Sequence, residues 1–276
     1  MRCKVVLGSA LVFALWASGF RELSAQDVDH CLNRITLEHP ALCLNAQALE
    51  MPERCKNDGE PGATPTIDLV PILEPPPSLG STAQRDDIQA VLSFQANRTK
   101  TAIRCAQADA CLSIFRFAGD IGPGFTPEDL PKTTAFINSV FVEANKDVAY
   151  AKSIFKRPRP FVTDNQVKKI VPQCPDFSYP SGHSTFAYVV ATLLANMVPE
   201  KTAGIFRRAD QYARNRVVAG VHYPSDVEAG KISAAVIVYA LLQDAAFQER
   251  YKPARLELRN ALGLRTSNPQ SANQVR

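Results

Sequence analysis

The chain has 276 residues, 46% of them hydrophobic, and its formal net charge at pH 7 is +4. So small an excess of positive charge argues against nucleic acid or an anionic membrane surface as a partner, and any attraction for an anion must come from locally clustered side chains. The length fits one large domain, or one domain with a short extension.

The first 25 residues have the composition of a cleavable secretory signal. Arg2 and Lys4 provide a positive start, residues 5–20 are apolar, and residues 23–25 (Leu-Ser-Ala) offer small side chains where a signal peptidase cuts. A transmembrane anchor is the alternative, but the apolar run of about 16 residues is shorter than the ~20 needed to span a bilayer. No cysteine follows the predicted cleavage site to indicate a lipoprotein. We therefore predict a periplasmic or secreted protein.

Six of the seven cysteines follow this signal, namely Cys31, Cys43, Cys55, Cys105, Cys111 and Cys174. An even number in an exported chain predicts disulfides, although six cysteines allow 15 pairings that the sequence does not distinguish. A metal site is the weaker alternative, because there is no C-x-x-C pair and His30 and His39 lack ligand spacing. We predict neither a metal nor another cofactor.

Residues 26–67 form a predicted cysteine-containing N-terminal extension. Three cysteines spaced twelve apart suggest a small cross-linked unit, and a flexible leader whose cysteines pair with the main domain is the alternative. The end of the extension and the residues after it are rich in proline, with Pro75-Pro76-Pro77 at the centre of the run. Such a run forms neither a helix nor a central strand, so we expect an extended segment on the surface.

From Ser81 onward, apolar residues recur at intervals of three and four, which is typical of amphipathic helices. Strand-like alternation is scarce. The pattern predicts an all-α fold, a helical bundle over residues 68–250 followed by a polar C-terminal tail at 251–276. The predicted helices run from Ser81 or Thr82 to Phe117, from Lys132 to Phe155, from Gly182 to Met197, from Lys201 to Val218 and from Ser225 to Ala246.

Two apolar runs, Phe186–Val198 and Ile232–Leu242, have the composition of membrane spans. Each is well short of the ~20 residues needed to cross a bilayer. We therefore expect buried core helices and no stable membrane insertion.

A first block of candidate functional residues begins with Lys152 near a helix C-terminus and ends with Lys156-Arg157-Pro158-Arg159-Pro160. The helix dipole favours cations at such an end, so a solvated basic cluster is the alternative interpretation. The two prolines, however, restrict the backbone around Arg159 and orient its guanidinium. Its planar fork suits bidentate binding of phosphate, to which Lys152 would add a compact point charge.

A second block, Tyr179-Pro180-Ser181-Gly182-His183, opens a strongly apolar helix. Backbone N–H groups at a helix N-terminus form an anion site. Gly182 would let the main chain approach an oxyanion, Ser181 would donate its hydroxyl, and His183 would serve as a general acid. The alternative is a histidine that simply satisfies a helix cap.

A third block contains Arg216, His222 and Asp226. Ser225 and Glu228 have capping-box spacing, which predicts a helix start at Ser225 and puts Asp226 in its first turn. That carboxylate can accept from Nδ1–H of His222 and leave Nε2 as a nucleophile, although a structural anion at the helix start is the alternative. Arg216 would close the other side of the anion, unless it is only a surface arginine.

The three blocks together supply what phosphoryl transfer requires. Fixed cations hold the equatorial oxygens, a nucleophile attacks in line, and an acid protonates the leaving oxygen. Because 19 residues separate Pro160 from Pro180 and 32 separate His183 from Arg216, the combination is far more specific than any single block.

These blocks are similar to the signature of the type 2 phosphatidic acid phosphatase superfamily, which includes the vanadium haloperoxidases. Within it, the chain resembles the class A bacterial non-specific acid phosphatases, over about residues 68–246. Further motifs that carry the likeness are Pro75-Pro76-Pro77 with Gly80-Ser81, Arg98-Thr99, Leu130-Pro131-Lys132, and Ser225-Asp226-Val227 with Ala229-Gly230.

The resemblance implies a periplasmic, metal-independent acid phosphatase with a broad range of small phosphomonoester substrates and with phosphate or vanadate as inhibitors. It implies His222 as the nucleophile that forms a phosphohistidine, Asp226 as its orienting carboxylate and His183 as the acid. The implied phosphate-binding residues are Lys152, Arg159, Ser181, Gly182 and Arg216. Transfer to acceptors other than water and formation of a homo-oligomer are both compatible with the sequence.

The chain departs from the family pattern in two places. Asn215 stands where the family usually has Ser, from which we expect an altered pocket wall without loss of activity. Residues 26–58 have no evident counterpart in the family.

Three other functions fit parts of the pattern. A lipid-phosphate phosphatase is disfavoured because no segment is long enough to anchor the mature chain. A vanadate-dependent haloperoxidase would use the same residues with His222 as the vanadium ligand, but the modest length and the class A motifs argue against it. A phosphate-binding module without activity would not need a nucleophile, an orienting carboxylate and an acid together.

Overall fold

The computed structural model describes residues 65–173 and 176–264. The predicted signal peptide, residues 26–64 of the predicted extension with Cys31, Cys43 and Cys55, Cys174, and the end of the predicted tail lie outside the described residues.

Throughout the described ranges the secondary structure is helical, without a strand, which confirms the predicted all-α class. The α-helices are α1 (Thr82–Ala96), α2 (Lys100–Ala108), α3 (Ala118–Ile121), α4 (Pro131–Phe155), α5 (Pro160–Thr163), α6 (Gly182–Met197), α7 (Thr202–Val218), α8 (Pro224–Leu242) and α9 (Ala245–Ala261). Short 3₁₀ turns at Ile114–Phe117 and Pro199–Lys201 precede α3 and α7.

The predicted single helix up to Phe117 is broken into α1, α2 and a 3₁₀ turn. Thr99 has an extended backbone and its side chain accepts from the amide of Ala102 at 3.0 Å, so it caps a new helix. Ser113 caps the 3₁₀ turn in the same way, through the amide of Phe115. Polar side chains that hydrogen-bond locally thus override a continuous apolar periodicity.

Helix α8 begins one residue earlier than predicted and with a different cap. Its N-cap is Tyr223, Pro224 occupies the first helical position, and Asp226 accepts from the backbone N–H of Tyr223 at 2.9 Å. The predicted box of Ser225 with Glu228 is therefore wrong. Asp226 supplies the carboxylate at the third position of the helix, which brings its side chain back towards the preceding loop.

The chain beyond residue 250 is not a simple polar tail in its described part. Helix α9 continues to Ala261 and buries Tyr251, Ala254 and Leu258 against the bundle, mainly against α4. Glu257 of this helix accepts from the amides of Lys132 and Thr133 at 3.1 and 2.6 Å. The Glu257 side chain thereby caps the start of α4. This is a tertiary contact that the local pattern of polar residues does not predict.

Helix α6 lies at the centre of the bundle and packs against α4, α7, α8 and α9. Its apolar run is buried as predicted, and Phe186 packs edge-on against Phe141 with ring centroids 4.9 Å apart. The second run is only half buried, because Ile232 and Tyr239 of α8 are exposed. The description of α8 as a buried core helix is therefore wrong for its outer face.

Taken singly, none of the described helices combines the length and the apolar composition of a membrane span. Helices α8 and α9 meet these criteria only as a pair, and the pair is bent by 99°.

Candidate active site

The second and third sequence blocks meet at the N-terminus of α6. The amide of Ser181 donates to the carbonyl of Asp226 at 2.9 Å, and the hydroxyl of Ser184 donates to the carbonyl of Val227 at 2.7 Å. The two helices approach so closely at Gly230 that a Cβ there would lie 2.6 Å from the carbonyl oxygen of Ser181. The start of α8 is thus fixed against the start of α6, although the two are over forty residues apart in the sequence.

The hydrogen bonds of His222 define its tautomer. Its Nδ1 lies 3.2 Å from Oδ2 of Asp226, and its Nε2 lies 3.0 Å from Nη1 of Arg159. Because a guanidinium only donates and a carboxylate only accepts, Nδ1 carries the proton and Nε2 presents the lone pair. Burial, followed by the charge of Arg159, lowers the pKa of His222 to about 3, so the imidazole is neutral at mildly acidic pH.

Asp226 is fully buried and accepts three hydrogen bonds, from His222, from the amide of Tyr223 and from Arg157, whose Nη1 lies 2.6 Å from Oδ1. Burial alone would raise the pKa of Asp226, but the charge of Arg157 together with the bonds from His222 and Tyr223 holds that pKa below its usual range. The carboxylate therefore stays ionised beside the imidazole.

Arg157 supports the site from behind, a role that the sequence interpretation did not assign to it. One terminal nitrogen contacts Ser225 and Asp226, while the other donates to Gln84 at 2.6 Å and Asp87 at 2.7 Å of α1. The guanidinium also lies 3.8 Å above the ring centroid of Tyr223. Nothing in the local sequence Lys-Arg-Pro-Arg-Pro predicts that Arg157 would contact the carboxylates and Arg159 would contact His222.

The predicted phosphate-binding cations Lys152, Arg159 and Arg216 all have buried side chains at this end of the bundle. The Lys152 ammonium donates to the carbonyl of Phe177. Arg159 donates from Nε and Nη2 to the carboxylate of Asp176 at 2.6 and 3.1 Å, and from Nη1 to the carbonyl of Val221 at 2.7 Å.

Arg216 is only 1% exposed, and its Nε and Nη1 have no hydrogen-bond partner among the described residues. Its Nη2 makes one long contact, 3.4 Å, to the side chain of Gln173. Burial lowers the pKa of Arg216 to about 10, which leaves it charged at physiological pH. Two buried N–H groups on a charged guanidinium without an acceptor are costly, and an anionic ligand would satisfy them.

His183 is half-buried in the first turn of α6, and its Nε2 donates to the carbonyl of Ala110 at 3.1 Å. That bond leaves Nδ1 to accept or deliver a proton. Burial, then the charge of Arg216, holds the pKa of His183 well below its usual range. The ring is therefore neutral in the ligand-free protein.

Ser181 and Gly182, the other two predicted phosphate-binding residues, lie at the start of α6. The hydroxyl oxygen of Ser181 accepts from the amide of Ser184 at 3.3 Å, as a helix cap, which leaves its own O–H to donate. A Cβ on Gly182 would meet nothing nearer than 3.8 Å. Protein packing therefore does not by itself require glycine at this position.

Asn215 has a different environment from the expected pocket wall. Its amide donates to the buried carboxylate of Asp109 at 2.7 Å, which also binds Arg116 and Arg208. The Asn215 side chain thus adds a hydrogen bond to the buried carboxylate of Asp109, between α2 and α7.

No group of three or more His, Cys, Asp or Glu side chains within residues 65–173 and 176–264 is arranged to hold a metal ion.

Comparison with known proteins identifies relatives over most of the chain. The family described as the PAP2 superfamily matches residues 133–250. An acid phosphatase of Zymomonas mobilis subsp. mobilis is 33% identical over 217 residues, covering 73% of this chain and 80% of that protein. A non-specific acid phosphatase of Salmonella typhi is 30% identical over 201 residues, covering 67% and 78% respectively.

Among solved structures, a transmembrane PAP2 type phosphatidylglycerolphosphate phosphatase from Bacillus subtilis matches with a TM-score of 0.45 and 19% identity. The match covers 62% of this chain and 89% of that one. At this distance it supports no conclusion about the present chain.

Proposed function

Because the chain belongs to the PAP2 superfamily, among class A-like acid phosphatases, we propose that it hydrolyses phosphomonoesters through a phosphohistidine on His222. The observation that carries the proposal is a neutral imidazole of defined tautomer beside buried cations. One of these cations, Arg216, has two N–H groups that find no acceptor among the described residues.

The first step is attack of Nε2 of His222 on phosphorus. A bond forms between Nε2 and phosphorus while the bond to the ester oxygen breaks, and Asp226 stabilises the positive charge that develops on the ring. Lys152, Arg159 and Arg216 hold the phosphoryl oxygens, together with the Ser181 hydroxyl and the first-turn amide of Gly182.

His183 supplies the proton that the leaving oxygen requires. Its pKa is low in the ligand-free protein because of burial and, next, the charge of Arg216. A bound phosphoryl group neutralises that charge and raises the proton affinity of Nδ1, which takes up a proton from solvent and then transfers it to the leaving oxygen. His183 then removes a proton from water, which attacks phosphorus and releases inorganic phosphate and free His222.

The test is hydrolysis of p-nitrophenyl phosphate in the presence of EDTA. We expect activity without added metal, competitive inhibition by vanadate, and loss of at least about a thousandfold in kcat for His222→Ala. Rapid acid-free quenching with ³²P-labelled substrate should trap label on the wild type and on His183→Ala, but not on His222→Ala. Full activity in His222→Ala would remove the nucleophile from the proposal.

A vanadate-dependent haloperoxidase is the second candidate, because the same cations and His222 would hold vanadate. Bromide oxidation by peroxide after vanadate loading, in a protein that hydrolyses no phosphate ester, would favour it. Hydrolysis of lipid phosphates with no activity on soluble esters would favour a lipid phosphatase.

Export and a disulfide belong to the same proposal. The positive, then apolar, then small-residue pattern of residues 1–25 supports a cleaved signal peptide. A bond between Cys105 and Cys111 is supported by the burial of both residues, one near the end of α2 and the other in the turn after it. N-terminal sequencing of the exported protein and mass spectrometry of its non-reduced peptides test the two statements.

A further inference from the structure

The three cations of the candidate site all contact one short stretch of chain that the sequence interpretation did not single out. Gln173 contacts Arg216, Asp176 binds Arg159, and the carbonyl of Phe177 accepts from Lys152. Gln173 also donates to Oδ1 of Asp176 at 3.1 Å. Of these contacts, the one made by Asp176 brings a negative charge to the site.

Asp176 binds Arg159 in the geometry that a phosphoryl group would adopt. Nε and Nη2 of the guanidinium, its planar fork, point to the two oxygens of one carboxylate at 2.6 and 3.1 Å. The Asp176 side chain is 15% exposed and that of Arg159 is 3% exposed, so the pair is largely shielded from water. Two donors that already serve a carboxylate cannot also serve two phosphoryl oxygens.

The same contact fixes the rest of the guanidinium over the nucleophile. While Asp176 holds the fork, Nη1 of Arg159 lies 3.0 Å from Nε2 of His222 and donates to its lone pair. Attack on phosphorus requires that lone pair, so the guanidinium must move or exchange its partners when substrate arrives. In the ligand-free site Arg159 is therefore already bound by a carboxylate of the protein, whereas two N–H groups of Arg216 have no acceptor within residues 65–173 and 176–264.

We propose that Asp176 is an internal competitor for the phosphoryl site: its carboxylate holds Arg159 in the ligand-free enzyme and is displaced from it by phosphoryl oxygens. This inference rests on the proposed function. A competitor of this kind lowers the apparent affinity for substrate and for the product phosphate alike, because binding includes the free energy of breaking the resident pair. It weakens product inhibition in an enzyme that releases phosphate at every turnover.

The test compares the affinity for inorganic phosphate of the wild type with that of Asp176→Asn, by isothermal titration calorimetry. The amide keeps the shape of the side chain and removes its charge, so we expect the Kd for phosphate to fall on the order of tenfold. The inhibition constant of phosphate against p-nitrophenyl phosphate should fall in parallel. A carboxylate that merely orients Arg159 predicts the opposite sign, and unchanged or weaker binding would overturn the inference.

Two further variants separate competition from a general effect of charge. Glu200→Gln removes a carboxylate that binds Arg259 through two bonds of 2.8 and 3.2 Å, beyond the other end of α6, and should leave phosphate affinity unchanged. When Arg159 is already replaced by Gln, Asp176→Asn should increase the affinity for phosphate much less than it does in the wild type. Equal gains in both backgrounds would indicate long-range repulsion and would overturn the inference.

The outcomes also distinguish this inference from the proposed function. A wild type that neither binds phosphate nor hydrolyses esters contradicts both. If the wild type binds phosphate and hydrolyses esters, but Asp176→Asn does not bind phosphate more tightly, only the role of Asp176 is contradicted. Circular dichroism of each variant establishes that the compared proteins are folded, and Asp176→Ser provides a second uncharged side chain should the amide distort the loop.

Discussion

At the scale of single residues, the site depends on a network of buried ion pairs more than on any one side chain. Arg157 is the centre of that network, since it pairs with both Asp87 and Asp226. Burial raises the pKa of Asp87 even with Arg157 beside it. Without the arginine, the two buried carboxylates around Ser225 would lose the cation that pairs with both of them.

We therefore expect Arg157→Met to lower the free energy of unfolding by about 3–5 kcal/mol, because breaking a buried pair leaves uncompensated charge. Urea unfolding at pH 7 measures it. The matched control is Arg250→Met, which removes an ion pair with Glu143 in which both side chains are 46% exposed, and should cost less than about 1 kcal/mol. Equal effects of the two substitutions would contradict a central role for Arg157.

A second prediction at this scale concerns His183. We expect His183→Ala to slow alkyl phosphates by about 10²–10⁴-fold and p-nitrophenyl phosphate much less, because only the poor leaving group needs a proton. Single-turnover rates for a pair of substrates with matched binding provide the measurement. Equal losses for both leaving groups would assign His183 to binding and not to proton transfer.

At the scale of elements, the geometry of the proposed active site depends on how closely α8 approaches α6. Gly230 permits this approach, because its hydrogen takes the place of a Cβ that would meet the Ser181 carbonyl at 2.6 Å and Cβ of Ser184 at 2.8 Å. Both contacted residues belong to the N-terminal turn of α6 or its cap. A change at Gly230 therefore directly affects the first turn of α6, which we propose binds phosphate.

Gly230→Ala is expected to cost about 1–3 kcal/mol of stability through overpacking and to lower kcat/KM by displacing the start of α6. Thermal unfolding and steady-state kinetics measure the two effects. Gly204→Ala is the matched control within α7: its Cβ would find ordinary contacts no closer than 3.4 Å, and alanine is the better helix former. A harmless Gly230→Ala would show that the close approach is not required.

The element scale also shows where sequence periodicity succeeds and where it fails. The helices around Phe141 and Phe186 were predictable, because their apolar residues face one core and recur every three or four positions. The break before Thr99 and the cap at Tyr223 were not, since each depends on which polar side chain reaches a free amide. The course of α9 depends on Glu257 meeting the start of α4, a contact across 124 residues.

At the scale of the whole molecule, the burial of His222, the proposed nucleophile, makes the stability of the fold depend on pH. The pKa of His222 is lowered to about 3 by burial and Arg159, against roughly 6.5 in an unfolded chain. As the pH falls below about 6.5, the unfolded chain takes up the proton before the folded protein does, so acid favours unfolding.

From this residue alone we expect the free energy of unfolding to fall by up to about 1.4 kcal/mol per pH unit below about pH 6. Urea unfolding at a series of pH values measures the slope for the wild type. His222→Asn removes the titrating group and should flatten the slope by about that amount. An identical slope in the two proteins would show that His222 is not held neutral by the fold.

The sequence by itself determined that the described chain is helical, and it selected the side chains whose chemistry suits a phosphoryl group, because helical periodicity and residue type are local properties. Only the tertiary structure decided their partners. It pairs Arg157 with Asp226 and Asp176 with Arg159, and it leaves two N–H groups of Arg216 without an acceptor in the part of the chain that the structure describes. Ionic contacts and burial depend on which helix ends meet in space, and that information is not present in the spacing of any one segment.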